Sequence, residues 1–182
     1  WHLWDLCYAN RDDEALSFIK RKYHQEIDKE IFLQFVFFKQ WNALKQYANR
    51  QGIKIIGDIP IYVAYDSVEV WSHPEIFQLD NNKTPRKVAG VPPDYFSKRG
   101  QLWGNPLYDW AYLKANNYDW WLKRIDYAMQ LFDIIRIDHF RGFSQYYAIP
   151  YGNIDAIEGN WEEGPGIDLF SLVKERFDSK RI

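Results

Sequence analysis

The sequence has little cysteine, little histidine and almost no net charge, and each shortage argues against a class of function. Cys7 is the only cysteine among 182 residues, so an intrachain disulfide or a zinc–thiolate cluster is excluded and a reducing, cytoplasmic compartment is expected. The four histidines are scattered without helical spacing, so we expect no metal. With 23 Lys and Arg against 25 Asp and Glu, the net charge of −2 predicts no nucleic-acid partner.

Several sequence signals are also missing. The chain has no run of about 18 apolar residues, and its first residues lack the basic and apolar regions of a signal peptide, so no membrane association is predicted. Neither a glycine-rich phosphate loop nor a G-x-S-x-G motif is present, which argues against nucleotide cofactors and acyl transfer, and we expect no cofactor.

What the sequence has in abundance is aromatic residues. Tryptophan, tyrosine and phenylalanine make up 19% of the chain, and such side chains need burial, so the chain is predicted to be folded. A length of 182 residues fits a single domain. Because the chain starts at Trp1 without a methionine, we interpret residues 1–182 as one partial domain of a longer protein.

Helix and strand patterns alternate along the chain. Apolar spacing predicts a helix over Leu16–Ile27, a second over Phe32–Ala48 ending before Gly52, and a third that Asp119 could cap. Short β-branched strands are predicted directly after the second and third helices, at Ile53–Ile56 and Asp133–Asp138. Helices alternating with short buried strands indicate an α/β fold with a parallel sheet, open or closed into a barrel.

Residues 72–118 show no convincing period and contain five of the eight prolines. A stretch of this length without regular structure is usually a functional loop. Its many aromatic residues predict an ordered loop that packs on the body of the domain and shapes a cleft, although most of them could serve only to hold the loop in place.

The Arg136-Ile137-Asp138-His139 segment carries the strongest chemical signal. Alternation along a strand places Arg136 and Asp138 on one face and His139 on the other. A neighbouring guanidinium favours an ionised carboxylate, as a nucleophile requires, so Asp138 is a candidate nucleophile with Arg136 as its partner. The alternative is a buried ion pair that only fixes the register of the strand.

A second group of candidates would line the same site. Asp58 directly follows a predicted strand, where barrel enzymes place functional residues, although it could merely form a side-chain turn. Tyr62 lies just beyond it. Trp103 and Asn105 combine a flat ring with an amide, which suits stacking on a sugar and binding its hydroxyls, but stacking is not specific to sugars.

Long stretches of the chain resemble the 4-α-glucanotransferases, also called amylomaltases or disproportionating enzymes, which are relatives of the α-amylases. The resemblance covers most of the chain from about Phe35 onward and rests on residues 57–64 (GDIPIYVA), 90–96 (GVPPDYF), 100–108 (GQLWGNPLY), 136–143 (RIDHFRGF), 159–161 (GNW) and 164–166 (GPG).

The resemblance implies part of a (β/α)8 TIM barrel with a long inserted loop over about residues 72–118. It implies retaining transfer of α-1,4-glucan segments between maltooligosaccharides, with Asp138 as nucleophile and Arg136 as its partner. The implied substrate contacts are Asp58, Trp103 on the acceptor side, and Tyr95 and Phe96 on a mobile loop. His139 follows the nucleophile in the family too.

The resemblance also implies that the chain alone is incomplete. A full barrel needs about 250 residues, and the family's acid/base glutamate is implied beyond Ile182, since Glu158, Glu162 and Glu163 precede its segment. Two alternatives remain: an inactive glucan-binding or folding fragment, and an α-glucan hydrolase. We also expect exposed strand edges to make the isolated chain self-associate.

Overall fold

The structure is a computed structural model that describes residues 1–177 and 181–182. Its helices are α1 (Leu6–Ala9), α2 (Asp13–Lys22), α3 (His24–Arg50), α4 (Val68–Ser72), α5 (Trp110–Ala115), α6 (Asp119–Leu131) and α7 (Gly166–Arg176). Its strands are β1 (Ile56–Ile59), β2 (Lys87–Val91), β3 (Gln101–Pro106), β4 (Ile134–Ile137), β5 (Gln145–Pro150) and β6 (Asn160–Glu163). Short 3-10 turns cover Pro74–Ile76 and Phe140–Phe143. In the described part of the chain, no helix has the length and apolar character needed to cross a membrane.

The two predicted N-terminal helices are present, but they meet at Tyr23, so Ile27 belongs to the second of them. Helix α3 ends before Gly52, which adopts a φ of +77° as the predicted terminator. The second half of α3 packs on α6, where the indole nitrogen of Trp41 donates to the carbonyl of Leu131 at 2.9 Å. Helix α6 is present as predicted, but it already includes Asp119, so Tyr118 and not Asp119 occupies its N-cap position.

Strands β1 and β4 form a two-stranded parallel sheet, as the sequence predicts. The first strand is nevertheless shifted: it starts at Ile56, whereas Ile53 closes the end of α3 by donating to the carbonyl of Ala48. The carboxylate of Asp133 accepts hydrogen bonds from the backbone of Ile55 and the amide of Asn49, both at 2.8 Å. These bonds fix where β1 and β4 begin relative to α3.

The prediction that residues 72–118 lack regular structure is wrong. They contain β2 and β3, which join β5 and β6 in a four-stranded antiparallel sheet of order β3-β2-β5-β6. Strand β2 pairs with residues almost 60 positions away, for instance Ala89 with Ala148, so no local period reveals it. A register shift between Val88 and Gly90 interrupts the β2–β3 ladder and obscures the alternation further.

The predicted packing role of the aromatic residues in this segment differs from one residue to the next. Tyr108 is fully buried, and its ring lies 5.5 Å from that of Trp121. Trp103 is partly exposed, and Tyr95 and Phe96 project into solvent. The main core therefore contains residues of both sheets and of α5, α6 and α7. Four aromatic residues of the segment remain exposed at the surface: Tyr95, Phe96, Trp103 and Tyr112.

The β1–β4 sheet is covered on one side only. Ile56 is 63% exposed, so the expectation of fully buried strands is wrong. An apolar groove of about 610 Å³ runs beside β4 and α7. Its lining includes Ile56, Ile134, Ile137, Phe140, Phe170 and Val173. No closed barrel forms among the described residues.

Candidate functional site

The candidate site lies where the parallel strands β1 and β4 end. Their register places Asp58 directly beside Arg136. Because side chains at paired positions of neighbouring strands lie on the same face of a sheet, the two charged groups meet there. The guanidinium of Arg136 donates from Nε and Nη2 to the two carboxylate oxygens of Asp58, at 2.9 and 2.7 Å.

Arg136 also reaches the predicted nucleophile. Its Nη2 lies 3.3 Å from Oδ1 of Asp138, so the two residues share a face as the strand alternation predicts. The backbone nitrogen of Asp138 donates to the carbonyl of Ile59 at 2.9 Å and extends the β1–β4 pairing beyond the last strand residue. All three charged side chains are more than half exposed, so the alternative of a buried ion pair does not hold.

The forked hydrogen bonds favour the charged forms of Asp58 and Arg136. The bonds from Arg136 hold the pKa of Asp58 below its ordinary value, and the same bonds raise the pKa of Arg136. Both groups are therefore charged at neutral pH. A carboxylate fixed in this way can accept hydrogen bonds from hydroxyl groups of a ligand through its free lone pairs.

A small pocket of about 200 Å³ opens beside this charged cluster. Five of the predicted site residues line it, together with two residues that the sequence analysis did not select. The lining consists of Pro60, Ile61, Tyr62, Trp103, Asn105, Asp138 and His139. The structure thus combines the carboxylate of Asp138 with aromatic surface in one concave site, which is the composition typical of ligand pockets.

His139 differs from its predicted orientation. The sequence places it on the opposite face from Asp138, but β4 ends at Ile137 and His139 adopts the left-handed conformation, with a φ of +49°. That backbone turn brings the imidazole into the pocket beside Asp138. Its ring packs edge-on against Trp103, with the ring centres 4.9 Å apart. Partial burial lowers the pKa of His139, and the nearby carboxylate of Asp138 opposes this shift.

The aromatic wall of the pocket is fixed from behind. The ring of Tyr62 stacks on the buried ring of Tyr108, with 6.1 Å between ring centres. Burial raises the pKa of Tyr62 well above its ordinary range, so its hydroxyl stays protonated. The carbonyl of Ile61 accepts hydrogen bonds from the Tyr108 hydroxyl at 2.7 Å and from the Arg124 guanidinium at 3.2 Å. The chain after β1 is therefore held rigidly under the pocket.

Two predicted ligand contacts have different surroundings from those expected. The side-chain amide of Asn105 donates to the carbonyl of Val63 at 2.9 Å, so this group fixes the local backbone and leaves its oxygen for a ligand. Tyr95 and Phe96 are 95% and 93% exposed and are not among the pocket-lining residues. They sit on the connection between β2 and β3, the hairpin that carries Trp103.

Gly142 is a site residue that the sequence analysis missed. A Cβ atom at this position would lie 2.8 Å from Cδ1 of Ile61 and 2.9 Å from Cδ2 of His139. Any larger residue at this position would require the side chain of Ile61 or of His139 to shift. The available signal was a glycine inside the Arg136–Phe143 motif, three residues after His139.

The acidic residues near the antiparallel sheet have structural partners. The carboxylate of Glu162 accepts from the hydroxyl of Tyr146 at 2.9 Å and pairs with Lys87, and Glu163 accepts from the amide of Gln145. In residues 1–177 and 181–182, no three His, Cys, Asp or Glu side chains cluster so as to hold a metal ion.

Comparison with known proteins identifies the family. The family model for 4-alpha-glucanotransferase matches residues 1–182. The 4-alpha-glucanotransferase of Clostridium butyricum is 49% identical over 183 residues, which covers 100% of this chain and 38% of that protein. The 4-alpha-glucanotransferase of Thermus thermophilus is also 49% identical, over 97% of this chain and 35% of that protein.

Solved structures agree. The amylomaltase from Streptococcus agalactiae in complex with acarbose superposes with a TM-score of 0.93 at 47% identity, over 97% of this chain and 36% of that one. The amylomaltase from Corynebacterium glutamicum, at 19% identity and a TM-score of 0.68, shares the fold. This chain thus spans little more than a third of the length of the Clostridium butyricum and Thermus thermophilus proteins. It belongs to the 4-alpha-glucanotransferase family.

Proposed function

We propose that the protein transfers α-1,4-glucan segments between maltooligosaccharides and that residues 1–182 form the part of a (β/α)8 barrel that bears the nucleophile. The observation that carries this proposal is the position of Asp138 in a pocket with Trp103 and His139, beside the Arg136 guanidinium. Family membership and the acarbose complex of a relative support an oligosaccharide as the ligand. The single cysteine agrees with a cytoplasmic location.

In this mechanism Asp138 attacks the anomeric carbon of the donor glucan and forms a covalent glycosyl-enzyme. The carboxylate must be ionised and accessible for this step. Its side chain is more than half exposed, and Arg136 lies at hydrogen-bond distance from one oxygen. That oxygen is neutralised electrostatically while the other remains free to attack.

Asp58 and the aromatic residues would bind the sugar. Asp58, fixed by Arg136, offers carboxylate lone pairs to the hydroxyl groups of the ring that is attacked. Trp103 provides a flat surface on which a pyranose can stack, and the largely buried ring of Tyr62 forms the pocket wall next to it. Tyr95 and Phe96 would contact the glucan outside the pocket, where their exposed rings extend the aromatic surface.

Retaining transfer requires a second carboxyl group about 5–5.5 Å from the nucleophile, which protonates the leaving oxygen and later deprotonates the acceptor. Glu162 and Glu163 are engaged with the antiparallel sheet, so we propose that this group is a glutamate of the longer protein. The acceptor must reach the intermediate before water does, and the aromatic wall around Trp103 favours a bound sugar over water.

The test is incubation of this chain, and of a longer chain that continues past Ile182, with maltotriose. A ladder of longer and shorter maltooligosaccharides that appears only with the longer chain, and disappears in Asp138→Asn, would support the proposal. A ladder from this chain alone would place the acid/base group within residues 1–182. Release of glucose and maltose without longer products would indicate a hydrolase. Absence of activity from both chains would indicate an inactive glucan-binding or folding fragment, and calorimetry with maltotriose would distinguish these two.

A further inference from the structure

The connection between β2 and β3, residues 92–100, is held together by its own hydrogen bonds. Oδ1 of Asp94 accepts from the backbone nitrogens of Phe96 and Ser97 at 2.9 and 2.7 Å, and the hydroxyl of Ser97 donates to the carbonyl of Gly100 at 2.7 Å. At its tip, the rings of Tyr95 and Phe96 meet edge-on, with 5.5 Å between their centres. Both rings are almost completely exposed.

This loop is anchored at its base to the segment that follows β5. The guanidinium of Arg99 contacts Oδ2 of Asp155 through Nε at 2.9 Å and Nη2 at 2.8 Å. Next to this pair, the backbone nitrogen of Ala156 donates to the carbonyl of Arg99 at 3.0 Å. A Cβ on Gly100 would lie only 2.9 Å from that of Ala156, so the two segments are in close contact.

Asp155 is itself fixed. Its Oδ1 accepts from the backbone nitrogen of Ile157 at 3.1 Å, and its side chain is only 18% exposed. The next residue, Ala156, is fully buried in an apolar cluster with Val88, Tyr147 and Ile149. The anchor therefore connects the loop to the antiparallel sheet.

The geometry of this pair differs from that of an ordinary surface ion pair. Exposed pairs contribute little because both side chains must be ordered for one contact. Here Asp155 is already ordered by its own backbone bond and by the burial of Ala156. Arg99 is the only partner of the two that must be fixed, and its backbone is held by Ala156 as well.

We propose that Asp155 is a positioning residue that, through Arg99, holds the base of residues 92–100 and thereby presents Tyr95 and Phe96 as a preformed pair of rings. The effect of Asp155 on glucan binding rests on the proposed function, whereas its effect on the order of the loop is independent of that function. The hydrogen bonds within the loop fix its local turn, and the contact between Arg99 and Asp155 is the side-chain bond that ties this turn to the segment after β5.

The ordering is tested by amide hydrogen exchange on the 182-residue chain. Asp155→Asn keeps an oxygen for the Ile157 amide and removes the charge that binds Arg99. We expect the amides of Phe96, Ser97 and Gly100 to exchange about 2- to 5-fold faster, the range for the loss of an ion pair with one exposed side chain. The amides of β5 should be unchanged. Unchanged exchange in the loop would overturn the proposal.

Matched variants separate the anchor from a general loss of structure. Asp168→Asn removes another exposed ion pair, with Lys114, and should leave the loop unaffected. Arg99→Ala should reproduce the effect of Asp155→Asn, and the double variant should add nothing further, because both changes break the same contact. Arg99→Lys should restore part of the protection. Additive effects of the two single changes would contradict action through Arg99.

Exchange measurements with and without maltoheptaose test separately whether Asp155 orders the loop and whether the loop binds glucan. If the exposed rings bind glucan, maltoheptaose should slow exchange in residues 94–98 of the unchanged chain, and Asp155→Asn should need about 2- to 5-fold more ligand for the same protection. Failure of maltoheptaose to protect the unchanged chain would contradict the proposed role of Tyr95 and Phe96. The exchange rates measured without ligand would still show whether Asp155 orders the loop.

Discussion

The guanidinium of Arg136 and the carboxylate of Asp58 form a forked pair, with hydrogen bonds of 2.9 and 2.7 Å, between residues 78 positions apart in the chain. The parallel register of β1 and β4 creates this pair directly. Arg136 reaches Asp138 at a longer distance of 3.3 Å. Its principal partner is therefore the proposed sugar-binding carboxylate, and the proposed nucleophile is its second contact.

This geometry predicts that Arg136→Lys is not a conservative change. A lysine ammonium is a point charge and cannot make both parallel bonds to Asp58. We expect maltotriose binding, measured by calorimetry, to weaken by up to about 10-fold, because one of the two hydrogen bonds that orient Asp58 is lost. The melting temperature should hardly change, because the pair is exposed.

Asp58→Asn serves as the companion variant, since it retains the shape of the side chain and loses its charge. It should weaken binding to a similar extent, and combining it with Arg136→Lys should cost less than the sum of the two. A fall in melting temperature with unchanged affinity would show that the pair is structural.

The sequence indicated several residues that the structure brings together, but not the strands that pair around them. Arg136, Asp138 and His139 belong to one short motif, so they are close in space because they are close in sequence. Trp103 comes from β3 and joins them through the fold, but its ring type within its own motif already suggested a ligand contact. The pairing of Asp58 with Arg136 depends on the register between two strands. Both residues stand two positions after the first isoleucine of their strand, but this equivalence becomes visible only when the strands are known to be neighbours.

The antiparallel sheet was not predictable in the same way. Strands β2 and β3 are short and contain glycine, and β2 pairs on its other side with β5, almost 60 positions away, so this contact is non-local. The predicted orientation of His139 was wrong for a local reason. Alternation holds only while the backbone is extended, and the chain leaves the strand at Ile137 and turns left-handed at His139.

Trp103 is predicted to control the fate of the glycosyl-enzyme. Its indole is partly exposed and forms one wall of the pocket, so Trp103→Ala opens that wall to water and removes a stacking surface for the acceptor. In a longer chain that shows transfer, we expect the ratio of hydrolysis to transfer to rise, measured as free glucose against longer maltooligosaccharides. Trp4→Ala removes an exposed indole that is not part of the pocket and provides the control. An unchanged ratio in Trp103→Ala would refute this role.

The apolar groove beside β4 predicts self-association of the 182-residue chain. Its lining includes Ile56 and Ile134 on adjacent strands, with edges open to further pairing. Light scattering after size-exclusion chromatography should show dimers or larger species. Ile56→Lys should shift the distribution towards monomer, whereas Ile154→Lys, at an exposed position outside the groove, should not. A monodisperse monomer that melts cooperatively would contradict the prediction.

His139 predicts a pH dependence of stability. Partial burial lowers its pKa in the folded protein below the ordinary value of 6.5, although Asp138 opposes this shift and Arg141 reinforces it. As the pH falls below 6.5, the unfolded chain therefore binds more protons at this position than the folded chain does. The stability present above pH 6.5 should be lost progressively down to the lowered pKa.

The measurement compares melting temperatures at pH 8 and pH 5. The wild-type chain should lose more stability between these values than His139→Gln, which has no titrating ring. His24→Gln, an exposed histidine at the start of α3, should behave like the wild type. Equal losses for the wild type and His139→Gln would show that burial of the imidazole contributes nothing to the pH dependence.

Gly142 should be essential for the shape of the pocket. The Cβ of Gly142→Ala would lie 2.8 Å from Ile61 and 2.9 Å from His139, so at least one of these side chains must move. Overpacking of this kind costs about 1–3 kcal/mol. Because the His139 ring packs edge-on against Trp103, its displacement should also change the fluorescence of that indole, measured as the difference from the same variant in a Trp103→Phe background.

A compensating change identifies which contact matters. Ile61→Val removes the Cδ1 atom nearest to the new methyl group, so the double variant should regain part of the lost stability. The contact with His139 remains in that variant, and the fluorescence change should therefore persist. If the double variant recovers both stability and fluorescence, the contact with Ile61 alone restricts the size of residue 142. If Gly142→Ala by itself changes neither stability nor fluorescence, the turn relaxes without disturbing the pocket.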